Sequence, residues 1–263
     1  MIEGHSGCAV TLQDGLINKS TCGTLYSAER LVLQIEKQKY FNLSLKNEQI
    51  IVPSIIKEEF SNGYSVQMEY FRCSNIIQYL HKAGKEQLDC LVDSICGFID
   101  FCLLECSFIQ LDRKVIIDKF DSIEKPSGLD KQLQEYIENE IRIPVGICHG
   151  DLTLSNILLK PESGQIVLID FLDSFVESPI IDIAKIRQDT KHGWSSFIYL
   201  GKHDKIKTKL SLQYLDNKMT ERFNKYDFYK HYKLFQFMNL VRIIPYAKET
   251  KTFDFLMREI CSL

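Results

Sequence analysis

The stretch His149-Gly150-Asp151-Leu152-Thr153-Leu154-Ser155-Asn156, with Leu168-Ile169-Asp170-Phe171 after it, decides how this chain is read. Residues 143–148 are apolar and short, with Pro144 near their start, and read as a brief buried strand leading into Asp151. Gly150 permits a sharp turn there. Asn156 lies where residues 157–159 begin a β segment, and Asp170 ends the apolar run 166–169. Pro161-Glu162-Ser163-Gly164 is the turn between these two segments. Paired as a hairpin, they bring Asn156 and Asp170 to the same end. A carboxylate and an amide oxygen together make a hard-oxygen site. It suits Mg²⁺, which keeps waters and takes phosphate ligands.

Upstream of this stretch the signals are mostly β. Residues 8–12 and 16–19 flank Gln13-Asp14-Gly15, and Asp-Gly between two β-prone runs signals a hairpin. Ser20 or Thr21 caps a helix running to about residue 41, in which Leu25, Ala28, Leu31, Val32 and Ile35 recur at helical spacing. Residues 50–56, broken by Pro53, and residues 64–70 read as strands around an Asn62-Gly63 turn. From residue 75 the pattern is helical, over 75–82, 86–106, 113–123 and 129–140, and again in four segments after Pro179. Strands first and helices later define an α+β chain: a small β-rich lobe over 1–71 and a larger α-rich lobe over 72–263.

Composition narrows the class of function. The net charge of −3 lacks the basic excess that a broad nucleic-acid surface needs, and leaves room for a small basic pocket. The nine cysteines are odd in number and contain no CxxC pair, which reads as reduced thiols in a cytoplasmic protein. The opening Met1-Ile2-Glu3-Gly4-His5-Ser6-Gly7 is no secretory signal. The apolar run 95–111 carries Asp100 and Glu105, so it reads as a buried helix and not a membrane span.

HGDLTLSN, with IDF following the Asn, resembles the catalytic and metal-binding loops of the aminoglycoside phosphotransferase and choline kinase family, which shares the protein-kinase-like two-lobe fold. Protein kinases carry Arg in place of Gly150, so His-Gly-Asp points to the small-molecule branch. The resemblance implies Asp151 as catalytic base, Asn156 and Asp170 as Mg²⁺ ligands, and ATP as phosphoryl donor. It matches Gly4, Ser6 and Gly7 to the loop covering the phosphates and Lys19 to the lysine contacting them. Glu36 is the helix carboxylate expected to hold Lys19, with Glu29 as competitor on nearly the same face. Met68-Glu69-Tyr70-Phe71 resembles the hinge strand, where Met68 borders the adenine pocket and the backbone of Glu69 and Phe71 bonds adenine. Ser178-Pro179-Ile180-Ile181-Asp182-Ile183-Ala184 resembles a family segment whose Asp braces the catalytic loop, which gives Asp182 a supporting role.

The chain also departs from the pattern. Only three residues precede the glycine loop, so the first strand is short. Asp170-Phe171-Leu172-Asp173 replaces Asp-Phe-Gly, and Asp173 is either a turn residue or a third acid near the metal. Trp194 reads as a core or groove-wall residue. Eight residues separate Asp170 from Pro179, too few for a peptide-docking segment, which disfavours a protein kinase. The expected partner is a small-molecule hydroxyl substrate: a sugar, glycan precursor or amino alcohol. An aminoglycoside antibiotic and a non-catalytic, pseudokinase-like nucleotide binder are the alternatives.

Overall fold

The computed structural model describes residues 2–3, 8–21, 25–60 and 63–263. The chain opens with β1 (Ile2–Glu3), β2 (Cys8–Gln13) and β3 (Leu16–Thr21). Asp14 and Gly15 have φ of 51° and 75°, the positive pair that a two-residue primed hairpin turn requires. Register between β2 and β3 runs unbroken from Cys8↔Thr21 to Gln13↔Leu16. Ser20 and Thr21 therefore belong to β3 and do not cap the helix. Cross-strand pairing on both sides of β3 outweighs their capping chemistry.

Next come α1 (Leu25–Ser44), β4 (Ile50–Ile51), β5 (Ile55–Glu59) and β6 (Ser65–Glu69). The first sheet has the order β1-β2-β3-β6-β5. The single strand expected over 50–56 is two strands, because Pro53 has no N–H to give to a ladder. Cys8, Leu31, Ile35, Tyr64, Val66 and Met68 form a small core between α1 and this sheet.

The larger lobe begins with α2 (Ile76–Leu80), α3 (Lys85–Leu104), β7 (Ser107–Gln110), α4 (Arg113–Asp121), α5 (Asp130–Ile137) and β8 (Arg142–Val145). β7 and β8 pair antiparallel, and β8 accounts for the short run leading to Asp151. β7 escaped the sequence reading because its four side chains are all exposed and show no alternation. β9 (Ile157–Leu159) and β10 (Ile166–Leu168) form the expected hairpin, with Ile157 opposite Leu168. β4 adds to β10 in parallel, so the segment after α1 is stitched to the β9–β10 hairpin. Phe41, Ile50 and Val52 accordingly join the large core, where Phe41 stacks on Phe171 at 5.2 Å.

The C-terminal part has five α-helices where four segments were expected: α6 (Pro179–Thr190), α7 (Trp194–Ile198), α8 (Lys205–Phe223), α9 (Tyr232–Val241) and α10 (Thr250–Cys261). Every residue of α6 is buried, and α3, α8 and α9 pack around it. Ser178 caps α6 by accepting from the Ile180 N–H, and Pro179 occupies the first turn, where no N–H is needed. The eight described cysteines are all free thiols. No described helix is long and apolar enough to cross a membrane.

Candidate active site

The loop from His149 to Asn156 is held against the segment after β10 by contacts that leave no room for a side chain at residue 150. Gly150 has φ of 82°, and a Cβ there would lie 2.0 Å from the Leu172 carbonyl oxygen. The Leu172 N–H donates to the His149 carbonyl at 2.9 Å, and the His149 ring stacks on Phe171 at 4.4 Å. Glycine is thus the residue this close approach demands. Burial pushes the His149 imidazole down to about 4, so the ring is neutral and its Nδ1 accepts the Asp151 N–H at 3.2 Å.

α6 lies beneath this loop and supplies it with charged partners. Asp182 accepts the His149 and Gly150 N–H groups at 2.7 and 2.8 Å, the bracing position that the sequence pattern suggested. Asp189 accepts the Leu154 N–H at 2.6 Å and the Ser195 N–H at 2.8 Å. Lys185 places Nζ 2.9 Å from Asp151 Oδ1. These three residues recur at helical spacing and share one face of α6. Burial drives the Asp182 carboxyl up to about 7 and that of Asp189 up to about 6, while the donated N–H groups pull both the other way. Sequence reading missed Lys185 and Asp189. Their signal was charge at the register of Asp182 in a helix otherwise rich in isoleucine.

Asp151 is mostly enclosed, with 23% of its side chain exposed. Asn156 donates from Nδ2 to the Asp151 carbonyl at 2.8 Å and to its Oδ2 at 2.9 Å. Burial raises the Asp151 pKa, but the charge and hydrogen bond of Lys185 outweigh it, and the carboxyl is held below its ordinary range. The carboxylate is therefore ionised and fixed in direction at neutral pH. With Nδ2 committed to Asp151, the Asn156 Oδ1 remains to face a ligand.

Asp170 follows β10 with φ of 58°, a left-handed conformation that Asp tolerates better than most residues. The Ile169 N–H bonds the Asn156 carbonyl at 3.1 Å, so the hairpin holds Asn156 and Asp170 at one end, as expected. The Asp170 side chain is 51% exposed and pairs with Lys19 Nζ at 2.8 Å. An amide oxygen oriented by its own N–H₂ bonds, next to a half-exposed carboxylate, is a donor set that fits Mg²⁺ with water and phosphate completing the shell.

Lys19, buried in β3, has Gln34 Oε1 as its second partner at 3.2 Å. The pairing expected of Glu36 is not made. Glu36 bonds Lys39 at 2.8 Å on the outer face of α1, with 62% of its side chain exposed, and Glu29 is exposed too. Leu31, Gln34, Ile35 and Gln38 form the buried face of α1, about half a turn away from Glu36. A neutral amide thus fills the position where a carboxylate was expected.

Met68 is buried opposite Ile17 and Ile55 in the first sheet, and Gln38 approaches its sulfur. Glu69 ends β6, and its carboxylate accepts the Ser54 N–H at 2.9 Å. Phe71 is half-buried, with Lys160 5.7 Å from its ring centroid. Gly4, Ser6 and Gly7 lie outside the described residues. Asp173 faces Arg30 at 3.7 Å, and Trp194 packs beside Phe197 and Phe255, whose rings stack on each other at 4.2 Å.

A loop with an oriented acid, an amide and carboxylate at one hairpin end, and a buried lysine from a small antiparallel lobe are thus brought together in one structure. Residues 110–200 match the phosphotransferase enzyme family APH, a stretch that contains Asp151, Asn156 and Asp170. The whole chain is similar in fold to the GDP complex of aminoglycoside 2'-phosphotransferase-IIIa, with a TM-score of 0.63 at 13% identity over 100% of this chain and 91% of that one. It is also similar to the gentamicin complex of APH(2'')-IIa, with a TM-score of 0.57 at 15% identity over 100% and 90% of the two chains. APH(4)-Ia with AMP-PNP and hygromycin B gives a TM-score of 0.57 at 11% identity over 94% and 85%. No curated protein matches. The resemblance carried by HGDLTLSN and IDF is borne out: residues 110–200, which contain these loops, match the phosphotransferase family model, and the fold is similar to that of aminoglycoside phosphotransferases.

Proposed function

We propose that this protein transfers the γ-phosphoryl group of ATP to a hydroxyl of a small molecule, a sugar, glycan precursor or amino alcohol, in the cytoplasm. The observation that carries the reading is the fixed carboxylate of Asp151, held by Lys185 and Asn156 beside the Asn156–Asp170 hairpin end and Lys19. Asp151 accepts the proton of the acceptor hydroxyl as its oxygen bonds the γ-phosphorus, and the bond from that phosphorus to the bridging β-γ oxygen breaks to release ADP. Such a transition state is loose, so orientation and charge neutralisation supply most of the rate. Lys19 contacts the α- and β-phosphates once it exchanges Asp170 for the nucleotide. Asn156 Oδ1 and Asp170 hold Mg²⁺, whose charge offsets that of the β- and γ-phosphates when bound.

The small lobe, residues 1–71, serves the nucleotide. Gly4, Ser6 and Gly7 cover the phosphates, Met68 borders the adenine, and the backbone of Glu69 and Phe71 bonds it. The larger lobe, 72–263, supplies the base, the metal ligands and the acceptor pocket. A second reading, an aminoglycoside kinase, is favoured by the antibiotics bound to the similar structures.

Coupled ADP release across sugars, polyols, amino alcohols and aminoglycosides, with ATP or GTP and Mg²⁺, tests the proposal. Acceptor-dependent ADP release supports it. Nucleotide binding without ADP release on any hydroxyl acceptor overturns it in favour of a nucleotide-binding module.

A further inference from the structure

One stripe of α1 meets the chain that follows Asp170. Arg30, Gln34, Lys37 and Phe41 recur at three- and four-residue spacing and so lie one above another on the helix. Phe41 stacks on Phe171 at 5.2 Å, Lys37 Nζ donates to the Leu172 carbonyl, and Arg30 sits 3.7 Å from Asp173. Three consecutive residues after Asp170 are thus each held by α1. Gln34, in the same stripe, holds Lys19, which pairs with Asp170 itself.

Lys37 ties the most together. Its side chain is 11% exposed, and besides the Leu172 carbonyl its Nζ meets Glu177 Oε2 at 2.7 Å. Glu177 is fixed in turn. Its Oε1 accepts the Ser174 N–H at 2.8 Å, its carbonyl accepts the Gly146 N–H at 3.0 Å, and the Cys148 thiol lies 3.5 Å from its Oε2. The segment after Asp170 is therefore closed on itself through Glu177 and joined there to the chain that leads into His149. Lys37 Nζ would also lie 3.4 Å from a Cβ at Gly150, so the ammonium sits where this segment crosses the catalytic loop. An enclosed ammonium with two oxygen acceptors is held in one place, and those oxygens offset the cost of its desolvation.

The turn being held is one that needs holding. Asp170 has φ of 58°, a conformation that a residue with a side chain keeps only where its surroundings fix it. On one side the Ile169 N–H bonds the Asn156 carbonyl at 3.1 Å. On the other the Leu172 N–H bonds the His149 carbonyl at 2.9 Å, and the Leu172 carbonyl is taken by Lys37. We infer that Lys37 is a positioning residue of the metal site: from α1 it fixes, through the Leu172 carbonyl and Glu177, the left-handed turn that aims Asp170. The inference rests on the proposed role of Asp170 as an Mg²⁺ ligand and adds the residue that keeps it in place.

The test measures ADP affinity by calorimetry, with Mg²⁺ and with EDTA, on the wild type and Lys37→Met. The gain in affinity that Mg²⁺ gives the wild type is expected to shrink by about tenfold in Lys37→Met, the low end for loss of a partner that orients a metal ligand, while affinity in EDTA stays within about twofold. Lys37→Arg restores a cation able to bond both acceptors and is expected to recover most of the gain. An unchanged gain in Lys37→Met, or an equal loss with and without Mg²⁺, overturns the inference. If Lys37→Met does not fold, Glu177→Gln takes its place and the same two results decide, since it keeps an acceptor for the Ser174 N–H and removes the charge that meets Lys37. If ADP binds the wild type no better with Mg²⁺, the metal reading of Asp170 fails, and amide exchange still decides what Lys37 does. The Leu172 and Ser174 amides are expected to exchange about tenfold faster in Lys37→Met than in the wild type, with those of α9 unchanged. Equal exchange of these two amides in both proteins overturns the inference.

Discussion

The charged groups of α6 beneath Asp151 are matched inside the protein, whereas Lys119 of α4 and Arg242 at the end of α9 have no side-chain partner among the described residues. Asp182 and Asp189 each receive two backbone N–H groups, and Lys185 meets Asp151 directly. Lys119 and Arg242 are only half-buried. The matched side fixes geometry, because groups that satisfy one another hold a loop in a single arrangement.

Breaking the matched side gives the largest effect. Asp182→Ala strips the acceptor from two buried N–H groups, and at about 1–3 kcal/mol for each it costs about 2–6 kcal/mol of stability. A urea melt reads that loss, and kcat falls with it as the catalytic loop loosens. Asp182→Asn is expected to be milder, since one oxygen acceptor stays and the buried charge, already pushed up to about 7, is gone. Equal stability of wild type and Asp182→Ala would show that α6 does not hold the loop.

Lys185→Gln sharpens the comparison from a different direction. Lys185 is the group that keeps Asp151 below its ordinary range against the opposing effect of burial. Without it, burial prevails and the Asp151 pKa rises. The acid limb of the pH–rate profile then moves to higher pH, and activity at pH 6 falls more than activity at pH 8. An unmoved acid limb would mean that Lys185 does not tune the base. The smallest effect is expected at Gln34. Gln34→Ala removes one of the two partners of Lys19 and raises KM for ATP by about fivefold, the equivalent of about 1 kcal/mol.

How much of this was legible in the sequence depends on whether the signal was local. The turn at Asp14-Gly15, the β9–β10 hairpin and the HGDLTLSN loop are short-range features, and their residues carry the backbone chemistry that makes them. The strand 50–56 was read as one because both halves are apolar. Pro53 divides it, and its halves serve different sheets, β4 beside β10 and β5 beside β6. Distance along the helix favours Glu36, but the helix face decides the contact. The buried positions 31, 34, 35 and 38 point to Gln34, an amide that charge-based reading passes over. Asp182 was found through its motif, while Lys185 and Asp189 become visible only when α6 is known to be buried on every side. The C-terminal helices could be read as helices, but what Arg242 and Lys119 face depends on packing between α4 and α9, residues far apart in the chain.

The most direct test of the central claim is acceptor-dependent ADP release by Asp151→Asn, measured beside its affinity for the nucleotide. The substitution keeps the size of the side chain and one acceptor oxygen while removing the base and the charge that pairs with Lys185. Turnover is expected to fall by about a thousandfold, within the range for loss of a positioned general base, with nucleotide affinity close to wild type. Full turnover by Asp151→Asn with a good acceptor would contradict the assignment of Asp151 as the base.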